Sequence, residues 1–173
     1  MKIIFMGYMG SGKSRVGEAL AQSLDVDYLD LDQLISRSEE KEISQIFEDS
    51  GEIYFRRKEY EVLEETLALN KEYVLSLGGG TPCFGKNLEK IKQTPGVNLV
   101  YLKTSIGELT KRLFPEKESR PLISHLQSKA DLEDYIRKHL FERGFYYNQA
   151  DHIISTDSKE IREISSEITE KLK

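Results

Sequence analysis

The stretch Gly7-Tyr8-Met9-Gly10-Ser11-Gly12-Lys13-Ser14 matches G-x-x-x-x-G-K-[ST] at every fixed position. It follows a short apolar run, Lys2–Met6 (KIIFM), and leads into Lys13–Leu24, where Val16, Ala19, Leu20 and Leu24 recur at helical spacing. A strand, a glycine-rich turn and a helix in that order make a phosphate cradle. The glycines let backbone N–H groups converge on phosphate oxygens in a space that a Cβ would obstruct. The helix adds the positive end of its dipole. Lys13 is placed to reach the β- and γ-phosphates of a nucleoside triphosphate, and the Ser14 hydroxyl to ligate Mg²⁺.

Outward from this loop, short apolar runs keep alternating with longer amphipathic stretches, the pattern of a parallel sheet covered by helices. Besides Lys2–Met6, the strand candidates are Asp27–Leu31, Tyr73–Leu77, Val97–Lys103 and His152–Ser155. Four of the five are dense in Ile, Val, Leu or Phe rather than strictly alternating, as burial on both faces requires. Ser105 with Glu108, and Asp157 with Glu160, read as capping boxes. The first precedes Leu109 and Leu113, the second a terminal amphipathic helix carrying Ile161, Ile164, Ile168 and Leu172. Gly51–Asn70 reads as a long charged helix burying Ile53, Val62, Leu63 and Leu67. Phe114–Ala130 holds two of the four prolines and little periodicity. It is too long for an ordinary connection, so it reads as a mobile lid or a solvated excursion.

The 173 residues carry 25 Lys and Arg against 30 Asp and Glu, a formal charge of −5. With no repeats and no linker, residues 1–173 form one domain. The single cysteine, Cys83, excludes a disulfide framework and a Cys-built zinc site and reads as a small core residue. The acidic balance argues against nucleic acid or an anionic membrane as a partner. The longest nearly apolar stretch, Ile3–Gly10, falls far short of the ~20 residues that span a bilayer, and it lacks a signal-peptide layout. The expectation is a cytoplasmic monomer acting on small molecules.

The acceptor half of the site is less local. The second strand runs into Asp30-Leu31-Asp32. If the strand ends at Asp30, both carboxylates can point into the cleft beyond the carboxyl ends of the strands. One can then hold magnesium while the other orients and deprotonates a hydroxyl; alternatively Asp32 is a helix N-cap. Gly78-Gly79-Gly80, at the end of the third strand, either opens backbone amides to a ligand or makes a tight turn. Arg56 and Arg143 can each take a carboxylate bidentately, or stay solvated as Arg57 and Lys58 are read to be.

Together these pieces resemble the shikimate kinase family. The resemblance runs over nearly the whole chain: the G-x-x-G-S-G-K-S loop, Leu29-Asp30-Leu31-Asp32, Ile46-Phe47 through Phe55-Arg56-Arg57-Lys58-Glu59, Leu77-Gly78-Gly79-Gly80, and Arg120-Pro121-Leu122. It implies transfer of the γ-phosphate of ATP to the 3-hydroxyl of shikimate, with Mg²⁺. It implies a three-layer α/β fold of the nucleoside-monophosphate-kinase type: a five-stranded parallel sheet with helices on both faces, a substrate-binding segment at about 32–62 and a lid at 114–130. By match, Gly10, Ser11, Gly12, Lys13, Ser14 and Arg15 would surround the ATP phosphates, with Arg120 reaching them from the lid. Asp32 would be the base, Asp30 would join Ser14 at the metal, and Arg56, Arg143, Gly79 and Gly80 would hold the shikimate carboxylate. Glu59 would orient Arg56. Two positions depart from the family's pattern: Arg15 replaces a small hydroxyl residue, and Phe145 stands where a proline usually follows Arg143. Two other readings remain at this point. One is a P-loop kinase of the gluconate or nucleotide type. The other is a nucleotide-dependent switch or degenerate relative, although Lys13, Ser14, Asp30, Asp32 and Arg120 are all present.

Overall fold

The computed structural model describes residues 1–172. Five strands, β1 (Lys2–Met6), β2 (Asp27–Asp30), β3 (Tyr73–Ser76), β4 (Val97–Lys103) and β5 (His152–Ser155), form one parallel sheet in the order β2-β3-β1-β4-β5. Lys2 pairs with Tyr73 on one side and Val97 on the other, which puts β1 at the centre. Seven helices are interleaved: α1 (Lys13–Leu24), α2 (Leu31–Glu39), α3 (Ile43–Leu67), α4 (Asn87–Gln93), α5 (Ile106–Leu113), α6 (Lys129–Tyr147) and α7 (Ile161–Lys171). The strands fall where the apolar runs put them, with β2 and β3 each one residue shorter.

Both faces of β1 are buried, and its side chains divide by parity. Ile4 and Met6 pack with Leu31, Ile35, Leu63 and Leu75 on one face of the sheet. Ile3 and Phe5 pack with Val16, Leu20, Ile164 and Ile168 on the other. Tyr8, in the loop after β1, joins Leu109, Leu113, Ile123, Leu132 and Ile136 in a third, smaller cluster. The connection after β1 runs to β2 and that after its neighbour β3 runs to β4, in opposite directions, which opens a crevice at the carboxyl ends of these two strands.

Two sequence expectations are corrected by this packing, and a third segment gains detail. The helix expected over Gly51–Asn70 is the second part of α3, which breaks at Gly51 (φ 78°, ψ 175°) and ends at Leu67 rather than Asn70. Val62, Leu63 and Leu67 are buried as expected, but Ile53 lies about 180° round the same helix from Val62 and faces out, 90% exposed. The terminal helix is capped by Glu160 and Glu163, not by Asp157 and Glu160. Ser158 adopts a left-handed φ of 57°, so the chain turns once more before the helix begins. Asp157 Oδ1 instead accepts the Ser105 N–H at 3.0 Å. The stretch 114–130 is largely folded: Phe114–Ser119 is a 3₁₀ helix and Ile123 is fully buried, while Leu122 stays 60% exposed.

Candidate active site

The strand β2 ends at Asp30, whose carboxylate accepts the Gln33 N–H at 3.2 Å and caps α2. The capping role considered for Asp32 therefore belongs to Asp30. Asp32, in the first turn of α2, is left with its carboxylate facing the crevice. At the other end of the site, Gly12 takes a left-handed φ of 94° to start α1 without a side-chain cap, so its N–H groups stay available to an anion. Lys13 Nζ donates to the carbonyls of Gly7 and Tyr8 at 2.8 and 3.1 Å, which folds the ammonium back over the loop.

The triple glycine is the point of convergence. A Cβ on Gly78 would stand 3.0 Å from Asp32 Oδ1 and 2.9 Å from Thr81 Oγ1. On Gly79 it would stand 3.4 Å from Arg143 Nη1, and on Gly80 3.2 Å from Arg56 Nη2. One side chain from α2, one from α3 and one from α6 thus meet three consecutive bare backbone positions. The arginines that sequence left open between function and solvated surface are both drawn into the site. Tyr147 helps fix that backbone by donating to the Gly79 carbonyl at 2.5 Å.

Arg56 is held from two sides. Its Nη1 donates to Glu59 Oε2 at 2.8 Å, and its Cζ lies 3.6 Å from the centre of the Phe84 ring. Glu59 in turn accepts from Thr81 Oγ1 at 2.7 Å, so both carboxylate oxygens of this buried residue are occupied. Arg57 is solvated as expected. Lys58, also at the surface, bridges Glu39 at 3.2 Å and Glu61 at 3.1 Å. Cys83 is half-buried against the main core, and burial pushes its thiol up to about 11.

Charge in the crevice is balanced around neutrality. Burial lowers the Lys13 pKa to about 8, against the opposing pull of Asp32 and Asp30. Burial, Asp30 and Glu59 raise Asp32 to about 6, against Lys13 and Arg56. At pH 7 the lysine is mostly protonated and Asp32 mostly ionised, which suits a charge stabiliser and a base respectively.

A cavity of about 920 Å³ runs from the loop (Gly10–Arg15) past Asp30, Asp32 and Gly79 to the start of α7. Arg120 lines it and is tied to Glu116 Oε2 at 2.7 Å. The sequence reading missed Arg112, which also lines the cavity and donates to the Gly10 carbonyl at 3.2 Å. Its i,i+4 spacing from Glu108, with which it pairs at 2.8 Å, was the available signal. Lys159 lines the far end but is engaged by Glu167 at 2.6 Å.

The donor set suits magnesium. Ser14 and Asp30 offer a hydroxyl and a carboxylate to the cavity, and no cluster of three or more His, Cys, Asp or Glu side chains occurs among the described residues. Two oxygens with room for water and phosphate match a small hard cation rather than a zinc or calcium cage.

The family model for shikimate kinase matches residues 9–173. The chain belongs to the shikimate kinase family. A shikimate kinase of Flavobacterium psychrophilum is 40% identical over 167 residues, 96% of each chain. The solved shikimate kinase of Bacteroides thetaiotaomicron superposes with a TM-score of 0.87 at 31% identity, covering 99% of this chain and 98% of that one. The shikimate kinase of Acinetobacter baumannii, solved in complex with shikimate, gives 0.86 at 34% identity over 99% and 92%. Family membership sets aside the gluconate- or nucleotide-kinase and switch readings.

Proposed function

We propose that this site phosphorylates the 3-hydroxyl of shikimate with ATP, giving shikimate 3-phosphate and ADP on the route to chorismate and the aromatic amino acids. The observation that carries the assignment of residues is the meeting of Asp32, Arg143 and Arg56 at Gly78–Gly80, directly beside the phosphate loop. A polyhydroxylated carboxylic acid fits that arrangement, with guanidinium groups for its carboxylate and a carboxylate for its hydroxyls.

In this reading the loop from Gly10 to Arg15 surrounds the phosphates, and Lys13 stabilises charge that develops on the transferred group. Asp32 orients the acceptor hydroxyl and takes its proton. Ser14 and Asp30 would hold Mg²⁺, which when bound neutralises phosphate charge. Arg56, Arg143 and the Gly79–Gly80 backbone hold the carboxylate. Residues 32–62 form the substrate-binding segment, and residues 114–130 a lid that brings Arg120 to the phosphates and excludes water.

Every group the reaction needs lies within one chain, which supports a monomer. The charge of −5 disfavours nucleic acid and anionic membranes as partners. The requirement for ATP supports a cytoplasmic location. The assignment is tested by ADP release across a panel of hydroxy acids and nucleotides. Shikimate alone is expected to accelerate release; acceleration by gluconate or a nucleoside monophosphate instead would overturn the acceptor assignment.

A further inference from the structure

The residue after Gly7 has so far only filled space. Tyr8 is 1% exposed, inside the phosphate loop, yet its side chain leaves the loop and runs to α6. Its hydroxyl shares a hydrogen bond with His139 Nδ1 at 2.9 Å. Its ring lies 5.5 Å from the Arg143 guanidinium, one helical turn beyond His139 on the same helix. That ring and the Gly79 backbone, 3.4 Å from Arg143 Nη1 at the built Cβ, bracket the guanidinium. The loop backbone itself abuts the same glycine: a Cβ on Gly79 would stand 3.5 Å from Gly7 O and 3.6 Å from Met9 N.

His139 is fixed from its other side by the Tyr135 ring, with centroids 4.3 Å apart. Burial and the neighbouring Arg143 keep its pKa below the usual imidazole range, and burial raises that of Tyr8. Both shifts favour the neutral form of each partner, which suits a shared hydrogen bond.

We infer that Tyr8 and His139 are a positioning pair that seats Arg143 for the carboxylate of the acceptor. The inference rests on the reading that Arg143 binds that carboxylate. The ring supplies a cation–π face, and the hydroxyl, tied to His139, sets where that face stands relative to α6. The loop that holds the donor phosphates thereby also fixes one arm of the acceptor site.

The test is a double-mutant cycle read as separate KM and kcat values. Tyr8→Phe keeps the ring and deletes the bond; His139→Leu deletes the same bond from the other side. Each is expected to raise the shikimate KM by about 2- to 12-fold, the range of one neutral hydrogen bond. The double variant should be no worse than either single one, because both remove a single contact. The shikimate KM should move more than the KM for ATP, and His139→Asn, whose amide can occupy the place of Nδ1, should recover part of the loss. A normal shikimate KM in Tyr8→Phe, or fully additive effects in the double variant, would overturn the pair. Arg143→Ala separates the two levels. If it leaves the shikimate KM unchanged, the carboxylate reading falls and the pair with it. If it raises KM while Tyr8→Phe does not, the pair alone falls.

Discussion

Arg56 Nη1 and Glu59 Oε2 lie 2.8 Å apart on one face of α3, with Glu59 1% exposed and the arginine side chain 22% exposed. The anchored end of the pair is the carboxylate, fastened to Thr81; the open end is the guanidinium. Glu59→Ala is expected to release Arg56 and strand the Thr81 hydroxyl, costing about 1–3 kcal/mol in denaturant unfolding. It should also raise the shikimate KM. Arg56→Ala removes a charge-assisted contact and should raise that KM by about 10- to 150-fold. Unaltered shikimate kinetics in Arg56→Ala would refute the carboxylate assignment.

Lys13 touches loop carbonyls rather than a hydrophobic core. Lys13→Ala should therefore fold normally by circular dichroism and lose turnover by ~10²–10³-fold, the usual loss of one preorganised charge. Near-normal rates in a folded variant would remove the loop from the mechanism.

Asp32 links activity to pH and stability with a definite sign. Its pKa is raised from 3.8 to about 6, so between those values the folded chain binds more protons than the unfolded one. Stability contributed by this group therefore falls as pH rises through that window. Asp32→Asn removes the buried charge. Calorimetry on the ligand-free protein should find the variant melting above the unaltered enzyme at about pH 7.5, with the advantage gone near pH 4. Its turnover should collapse while ATP binding survives. In the unaltered enzyme, kcat/KM should decline below about pH 6 as the base is protonated.

In the proposed function Arg120 would reach the phosphates only by giving up its partner Glu116. Such a partly exposed pair contributes only about 0–1 kcal/mol, so the exchange is easily driven by a triphosphate. Arg120→Ala should lower kcat by ~10³–10⁵-fold, by analogy with arginines delivered in other phosphoryl transfers, and weaken ATP binding far less. Rapid turnover by this variant would mark 114–130 as an ordinary surface segment.

The donor half of the site was legible because it is local: eight consecutive residues with a strand before and a helix after define the loop. The acceptor half is built by tertiary structure. Nothing in the spacing of Arg56 and Arg143 says that both meet Gly79 and Gly80, and only the family resemblance joined them beforehand. Ile53 was misplaced because it is apolar but stands about 180° from Val62 on the helix that follows Gly51. The helix α6 gave no clear stripe, since Leu132 and Ile136 face the small third cluster and Tyr147 faces the main core. The fold of 114–130 was hidden for a related reason: one buried isoleucine among charges carries no periodicity.

That one isoleucine sets a population. If residues 114–130 lift as the proposed lid, withdrawing a fully buried Ile123 into water would cost about 1.5–3 kcal/mol and leave roughly 0.6–8% of molecules open. The apparent affinity for a ligand that enters the open form is reduced by that fraction. In that reading ADP would leave through the same rare excursion. A smaller side chain at 123 would speed both traffic directions and leave the chemistry to a lid that closes less firmly.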